Sequence, residues 1–527
     1  MTTSIFNASA QEAATTPRGA EAASADKMPT STAQHIAHVE PVHTLWSRFI
    51  ILLLCLAIVL STLAYGTVHS WSLAVFQAGA AIVIVLWCMD AWRSQTLRLS
   101  RNALQWPLLG LFLYGLVQLL PLGNTVPAGT SLTFAPVKSL SLDSYSTRFA
   151  IMQIVALLIY FAAALSFIDS PRRLRLLVGT ITIFGFLLAI FGLVQSFTSP
   201  LKIYWVRELT QSTPFGPFIN RHHFAGYMEM TLALPLGLLY SGAIESDKRA
   251  LYGFAIAVMG VALIMTGSRG GMISLAASIF FLVVVAGTRR NRGKGAEPAE
   301  EKSRRVRSAL MRAAIGLALM ATLLCGVVWL GGESTLSRFV GTVNSDDPTT
   351  GRTHFWNVTL NIIRDHPILG AGLGAYSLAY TRYDSNNGLL RVEQAHNDYL
   401  QVLADAGVIG AALGVFFLIA LFRMGFARRE SEDVFRRGVA IGALAGCFAV
   451  LVHSLFDFTL HTTSNALLFL IMAALATLNG RVENVRSGNR RRRKRHHQPT
   501  HTGERSRTAT NVAEQEHNAP TLVAQPK

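Results

Sequence analysis

Arg269, Arg352 and His396 have the residue types and setting to do chemistry together, and Arg221 with His222 and His223 lies on the same side of the apolar runs. Arg269 sits in Thr266-Gly-Ser-Arg-Gly-Gly271, where two apolar runs are joined by almost no loop. An unpaired cation at the middle of a bilayer costs roughly 2.5–3.5 kcal/mol, and less near the interface, so an anion should face it. Arg352 begins an amphipathic run, Arg221 precedes an apolar one, and His396 lies in Gln394-Ala-His-Asn-Asp-Tyr399. Guanidinium groups bind phosphate oxygens bidentately and keep their charge. A diphosphate leaves readily when its growing charge is neutralised, which arginines can do without a metal. A histidine can take the proton of an attacking hydroxyl. Together these residues suit group transfer from a lipid-linked diphosphate to an alcohol, with the membrane supplying the lipid. ATP is not expected at an outer face, so the donor must carry its own activation.

Other polar residues invite plainer readings. Arg221 and Arg364 also suit anchors snorkelling to headgroups. Glu229 lies one or two turns into an apolar run and is expected to cap or pair there. His453 and Asp457, one helical turn apart, are expected to pair with each other. His222 and His223 are adjacent and do not share one helix face as i, i+4 ligands would. Asp346-Asp347 lies in a Ser/Asp/Pro/Thr turn. No metal and no cofactor are therefore expected. Leu369-Gly-Ala-Gly-Leu-Gly-Ala-Tyr376 lacks the G-x-G-x-x-G spacing of a nucleotide loop and reads as a tight turn.

The elements that must hold these residues are membrane helices. The chain is 51% hydrophobic and only 15% charged, against about 25% charged in ordinary soluble domains. Its mean hydropathy is +0.37. Cys55, Cys88, Cys325 and Cys447 all lie in apolar runs and imply no disulfide scaffold. A spanning helix needs roughly 20 mostly apolar residues, and about twelve runs meet that criterion. They lie near 48–68, 71–91, 103–121, 149–169, 175–197, 223–242, 251–267, 270–287, 312–331, 407–425, 438–458 and 463–479. The polar arm before the first run makes a cleaved signal peptide unexpected.

With the N-terminus inside, the inner segments hold 36 of the 47 lysines and arginines, and the outer segments the other 11. Positive loops stay inside, so both termini are expected in the cytoplasm. The net charge of +17 then reflects inner loops and the run Arg490-Arg-Arg-Arg-Lys-Arg495, a solvated tail near anionic lipid. Without interleaved aromatic residues that tail gives no reason to expect nucleic acid.

The expected organisation is an arm at 1–46, a membrane domain at 47–479 and a basic tail at 480–527. The outer loop between spans 9 and 10, residues 332–406, is too long for a passive connection. It carries two amphipathic stretches suited to the membrane surface, one from Arg352 or Thr353 to before Pro367 and one from Gln394 to Ala406.

Three stretches resemble the O-antigen ligase and polymerase superfamily of bacterial membrane glycosyltransferases. They are Phe215-Gly-Pro-Phe-Ile-Asn-Arg-His-His-Phe-Ala-Gly226, Thr266-Gly-Ser-Arg-Gly-Gly271 and the region Gly351 to Gly410. The last contains Gly351-Arg-Thr-His-Phe-Trp356, His366-Pro-Ile-Leu-Gly-Ala-Gly-Leu-Gly374 and Ala395-His-Asn-Asp-Tyr-Leu-Gln401, in the family's order. The resemblance covers roughly 200–480. It implies an all-α, GT-C-like polytopic architecture of about twelve transmembrane helices in the bacterial inner membrane. It implies a donor glycan on undecaprenyl diphosphate at the periplasmic face and metal-independent transfer with inversion. His396 matches the family's base, Arg269 and Arg352 its diphosphate-binding arginines, and Arg221 a donor-side position. The acceptor it implies is lipid A–core for a ligase, another repeat unit for a polymerase, or a protein hydroxyl.

A polysaccharide transporter or flippase is the alternative from another class. Such proteins bind substrate near mid-membrane and often contain internal repeats. Pro235 and the His453/Asp457 pair are the hints in that direction, and the two halves show no clear repeat.

Overall fold

In the computed structural model the described residues are 43–122, 139–210, 212–287, 352–385, 391–479 and 482. The arm up to residue 42, the basic tail apart from 482, the loop at 288–311, the ninth apolar run and Asp346-Asp347 lie outside them.

Apolar runs bounded by capping residues become helices. The first five are α1 (Leu45–Leu63), α2 (Ser70–Ser94), α3 (Gln105–Gln118), α4 (Ser144–Phe167) and α5 (Pro171–Thr198). Next come α6 (Arg221–Ser241), α7 (Arg249–Met265) and α8 (Arg269–Gly287). After the undescribed stretch come α9 (Arg352–Asp365), α10 (Tyr376–Tyr383), α11 (Asp398–Arg428), α12 (Val434–His453) and α13 (Thr463–Thr477). Asp143 caps α4 through Tyr145 N and Ser146 N, Asn220 caps α6 through His222 N, and Asn397 caps α11 through Tyr399 N and Leu400 N. Each cap satisfies an amide that the helix leaves free. Ser170 and Pro171 do the same work at the start of α5.

Seven helices among the described residues are long and apolar enough to cross a membrane: α1, α2, α4, α5, α7 with its preceding turn, α11 and α12. Arg269–Val285 and α13 are apolar but shorter. The expected third span is a helix of only 14 residues, and the expected sixth, α6, is a 21-residue helix that carries Glu229 and Pro235. Eleven of the twelve expected runs thus coincide with helices. The architecture is a polytopic helical membrane protein, and its only described sheet is a hairpin pairing Lys202–Ile203 with Arg207–Glu208. Tyr204 and Trp205 turn that hairpin at φ 55° and 61°.

The packing centre is the pair α6 and α12. Gly237 faces Gly442 so closely that a Cβ on Gly237 would lie 2.4 Å from the Gly442 Cα. Small residues let membrane helices approach in this way and gain van der Waals contact. At the other end of α12, Arg436 is fully buried and donates to the carbonyls of Leu475, Ala476 and Leu478. A cation there meets the carbonyls that the end of α13 leaves unpaired.

The region 352–406 forms its own small core from Val358, Ile362, Tyr376, Ala379, Tyr380 and Ala404. The first surface helix falls where its periodicity places it. The second is the first part of α11, which continues into the span through Gly407 at φ 59°, ψ −159°. The helix between them, α10, is eight residues long and was not expected. The glycine stretch from Leu369 is a turn, as expected, and also a docking strip. Gln118 donates to Leu369 O and accepts from Leu373 N, Ala371 N donates to Ala404 O, and Leu142 N donates to Ala371 O. A Cβ on Gly372 would collide with the Ser141 hydroxyl. The strip fastens the loop region to α3 and α4, and so sets where Arg352 and His396 stand.

Candidate functional site

Asp457 is the residue around which the site assembles. It follows the C-terminus of α12, is 1% exposed, and receives groups from three other parts of the chain. His396 Nδ1 lies 3.3 Å from its Oδ1. Arg352 Nη2 donates to Oδ2 at 3.2 Å. His222 Nδ1 is 3.8 Å from the same Oδ2. The Phe458 amide adds a 2.9 Å hydrogen bond to Oδ1. Burial would push this carboxyl up. The hydrogen bond from His396 and the charges of His222, His223 and Arg352 outweigh it and hold Asp457 well below the ordinary carboxylate range. It is therefore a fixed negative charge beneath a partly open cluster.

The position of His396 follows from the sequence around it. Asn397 caps α11 and also donates to Leu455 O at 3.0 Å, which ties the helix start to the loop carrying Asp457. The next residue, Asp398, accepts from Ser454 Oγ at 2.7 Å and from Leu460 N, and pairs with His461 at 2.6 Å. The chain reaches this cap with His396 in the left-handed region, φ 52°, a conformation uncommon outside glycine, asparagine and aspartate. The imidazole stacks on Phe355 at 5.5 Å and meets Phe458 edge-on at 4.8 Å. With Nδ1 donating to Asp457, Nε2 is left as the lone-pair nitrogen.

A second chain of hydrogen bonds lies deeper. His453 Nδ1 contacts Glu229 Oε1 at 2.7 Å, and both side chains are buried. His453 Nε2 is 3.5 Å from Ser268 Oγ, which is 2.8 Å from His222 Nδ1. Ser268 immediately precedes Arg269. A Cβ on Gly270 would lie 2.9 Å from the His453 ring, so the loop bearing Arg269 rests on that histidine. Arg221 Nη1 comes within 3.6 Å of the Cβ position of Gly267 in the same loop. Arg352 and His396 thus meet at Asp457, Arg221 lies against the Gly267 turn, and Arg269 follows Ser268, which contacts the cluster's two histidines.

One expectation is corrected. His453 and Asp457 do not pair with each other; Glu229 takes His453, and Arg352 and His396 take Asp457. His222 finds partners on other elements. Its ring, His453 and Asp457 each place one ligand atom within 4.8 Å of the others, a spacing that could hold a metal ion. Asp457 as the organising residue was missed because its partners lie 61 and 105 residues away. The available signal was a buried acid next to basic outer loops. His223 is buried against Phe458 and contacts Thr462 Oγ1 at 2.8 Å.

Residues 254–415 match the family described as O-antigen ligase. Over that segment the chain is similar to the O-antigen ligase family. A relative named O-antigen ligase, from Pseudomonas aeruginosa strain PAO1, is 26% identical over 281 residues. The match covers 53% of this chain and 58% of that relative, so the chain spans somewhat more than half of its length. The family-matched segment contains Arg269, Arg352 and His396. Arg221, Glu229 and Asp457 fall outside it. The carboxylate that joins His396 to Arg352 thus comes from a helix end beyond the matched segment.

Proposed function

We propose that this protein transfers a glycan from undecaprenyl diphosphate to an acceptor hydroxyl at the periplasmic face of the bacterial inner membrane, as an O-antigen ligase-like glycosyltransferase of lipopolysaccharide or surface-polysaccharide biosynthesis. The observation that carries the reading is that His396 and Arg352, a proton acceptor and a phosphate binder, sit on the two oxygens of Asp457. Both termini then lie in the cytoplasm.

In this reading Arg269 and Arg352, with Arg221 on the donor side, hold the diphosphate and neutralise the charge that grows on it. His396 Nε2 takes the proton of the acceptor hydroxyl. The acceptor oxygen attacks the anomeric carbon from the side opposite the diphosphate, a new C–O bond forms, and the bond to the phosphate oxygen breaks. The anomeric configuration inverts, undecaprenyl diphosphate leaves, and the proton remains on His396 until solvent removes it. Asp457 keeps Nδ1 occupied and the ring oriented, and its charge stabilises the imidazolium that forms. The arginines supply the charge that a metal would otherwise supply, so the transfer is metal-independent.

Deleting the gene and examining the lipid-linked glycan pool tests this. Long chains held on undecaprenyl diphosphate, with uncapped lipid A–core, are expected for a ligase. Accumulated single repeat units would instead make the protein a polymerase of the same superfamily. An unchanged pool and unchanged surface polysaccharide would contradict both and favour a transporter.

A further inference from the structure

We propose that His222, His453 and Asp457 form a site for a zinc-class divalent cation, and that filling it takes Asp457 from Arg352 and shuts the cluster down. The inhibitory half rests on the transferase reading above; the binding half does not.

The three ligand atoms come within 4.8 Å of one another. Zinc bound to nitrogen and oxygen at about 2.0–2.2 Å holds its ligands roughly 3.4 Å apart in a tetrahedron. The widest pair therefore needs to close by at most about 1.4 Å. His222, with 23% of its side chain exposed, offers both the movement and the way in. His453 and Asp457 are already on one turn, since Asp457 N donates to His453 O at 3.1 Å.

The support around the ligands is that of a metal site. Glu229 holds His453 Nδ1, which leaves Nε2 turned toward the cluster. A carboxylate behind a ligating imidazole fixes its tautomer and raises its basicity. Ser268 Oγ stands between the two imidazoles, 2.8 Å from one and 3.5 Å from the other, and marks where they converge. Two imidazoles and one carboxylate suit zinc or cobalt rather than magnesium or calcium, which prefer oxygen ligands. The competition is geometric. Asp457 Oδ2, the oxygen nearer His222, is also the one Arg352 holds at 3.2 Å. A dication there takes that oxygen and repels the guanidinium.

The test uses the full-length protein in detergent, titrated with Co2+. Visible bands of tetrahedral cobalt are expected at one ion per chain, displaced by Zn2+ and untouched by Mg2+. His222→Ala is expected to weaken cobalt binding at least tenfold, and His453→Gln likewise, with gel filtration and thermal unfolding reporting that each variant is folded. Zn2+ is expected to reduce glycan transfer at least tenfold, and a chelator to restore it. Absence of bands in the wild type, or bands unchanged in folded His222→Ala, would overturn the site. Cobalt binding with transfer unaffected by Zn2+ would overturn the inhibitory half. A protein that shows the bands with cobalt but transfers no glycan when metal-free would count against the transferase reading and leave the site standing.

Discussion

His396 Nδ1 is 3.3 Å from Oδ1 of Asp457, and the carboxylate is almost wholly buried while the imidazole is partly open. That order, a hidden acid behind an accessible base, is what general-base catalysis by histidine requires. Asp457→Asn keeps the volume and the Phe458 amide contact but removes the charge. Transfer is expected to fall at least about a hundredfold in kcat, with the protein still inserted. Steady-state rates of the purified variant check this, and an unchanged kcat would remove Asp457 from the mechanism.

Arg352→Lys keeps a positive charge but loses the planar fork that grips a diphosphate. The donor KM is expected to rise roughly tenfold or more, the loss of about one charge-assisted hydrogen bond, while the acceptor KM stays close to wild type. Varying each substrate separately measures both. Equal effects on donor and acceptor would argue that Arg352 serves the fold instead.

If arginines carry the phosphate charge as proposed, transfer is expected to persist, or to rise, in excess chelator. Loss of activity that added divalent ion restores would make the chemistry metal-dependent.

Gly237 lies against the backbone of Gly442 between α6 and α12. Gly237→Val is expected to destabilise the bundle by about 1–3 kcal/mol through overpacking. Gly179, whose Cβ position meets nothing within 4 Å, is the control; Gly179→Ala should leave stability unchanged or raise it by up to about 1 kcal/mol, as alanine favours a helix interior over glycine. Thermal unfolding in detergent compares them.

His461 pairs with Asp398 at 2.6 Å. Burial alone would lower the histidine's pKa, but the hydrogen bond and charge of Asp398 more than offset this and raise it. The pair's contribution is complete below the ordinary histidine value of about 6.5 and is lost as pH rises through the raised value. The gap in unfolding midpoint between wild type and Asp398→Asn should therefore be widest in acid and narrow toward alkaline pH. A gap that widens with pH would contradict the assignment.

The helical membrane architecture was legible because long apolar runs leave little choice of structure in a bilayer. Arg352 and His396, which the structure brings onto Asp457, stand out in the sequence by residue type and motif order. Asp457 does not, because an aspartate one turn from a histidine pairs locally in any sequence-based reading, and its actual partners approach through tertiary packing. His222 was set aside for the same reason: ligands were sought on its own helix, whereas they stand on α12 and the loop after it. The role of Leu369–Tyr376 as a docking strip was likewise hidden, since it depends on Gln118 and Ser141 some 230–250 residues earlier.

The most direct test is the rate of glycan transfer by His396→Ala, purified in detergent and supplied with an undecaprenyl-diphosphate-linked donor and an acceptor. Transfer is expected to fall to background while membrane insertion and thermal unfolding match wild type. Transfer at the wild-type rate would contradict the assignment of His396 as the base.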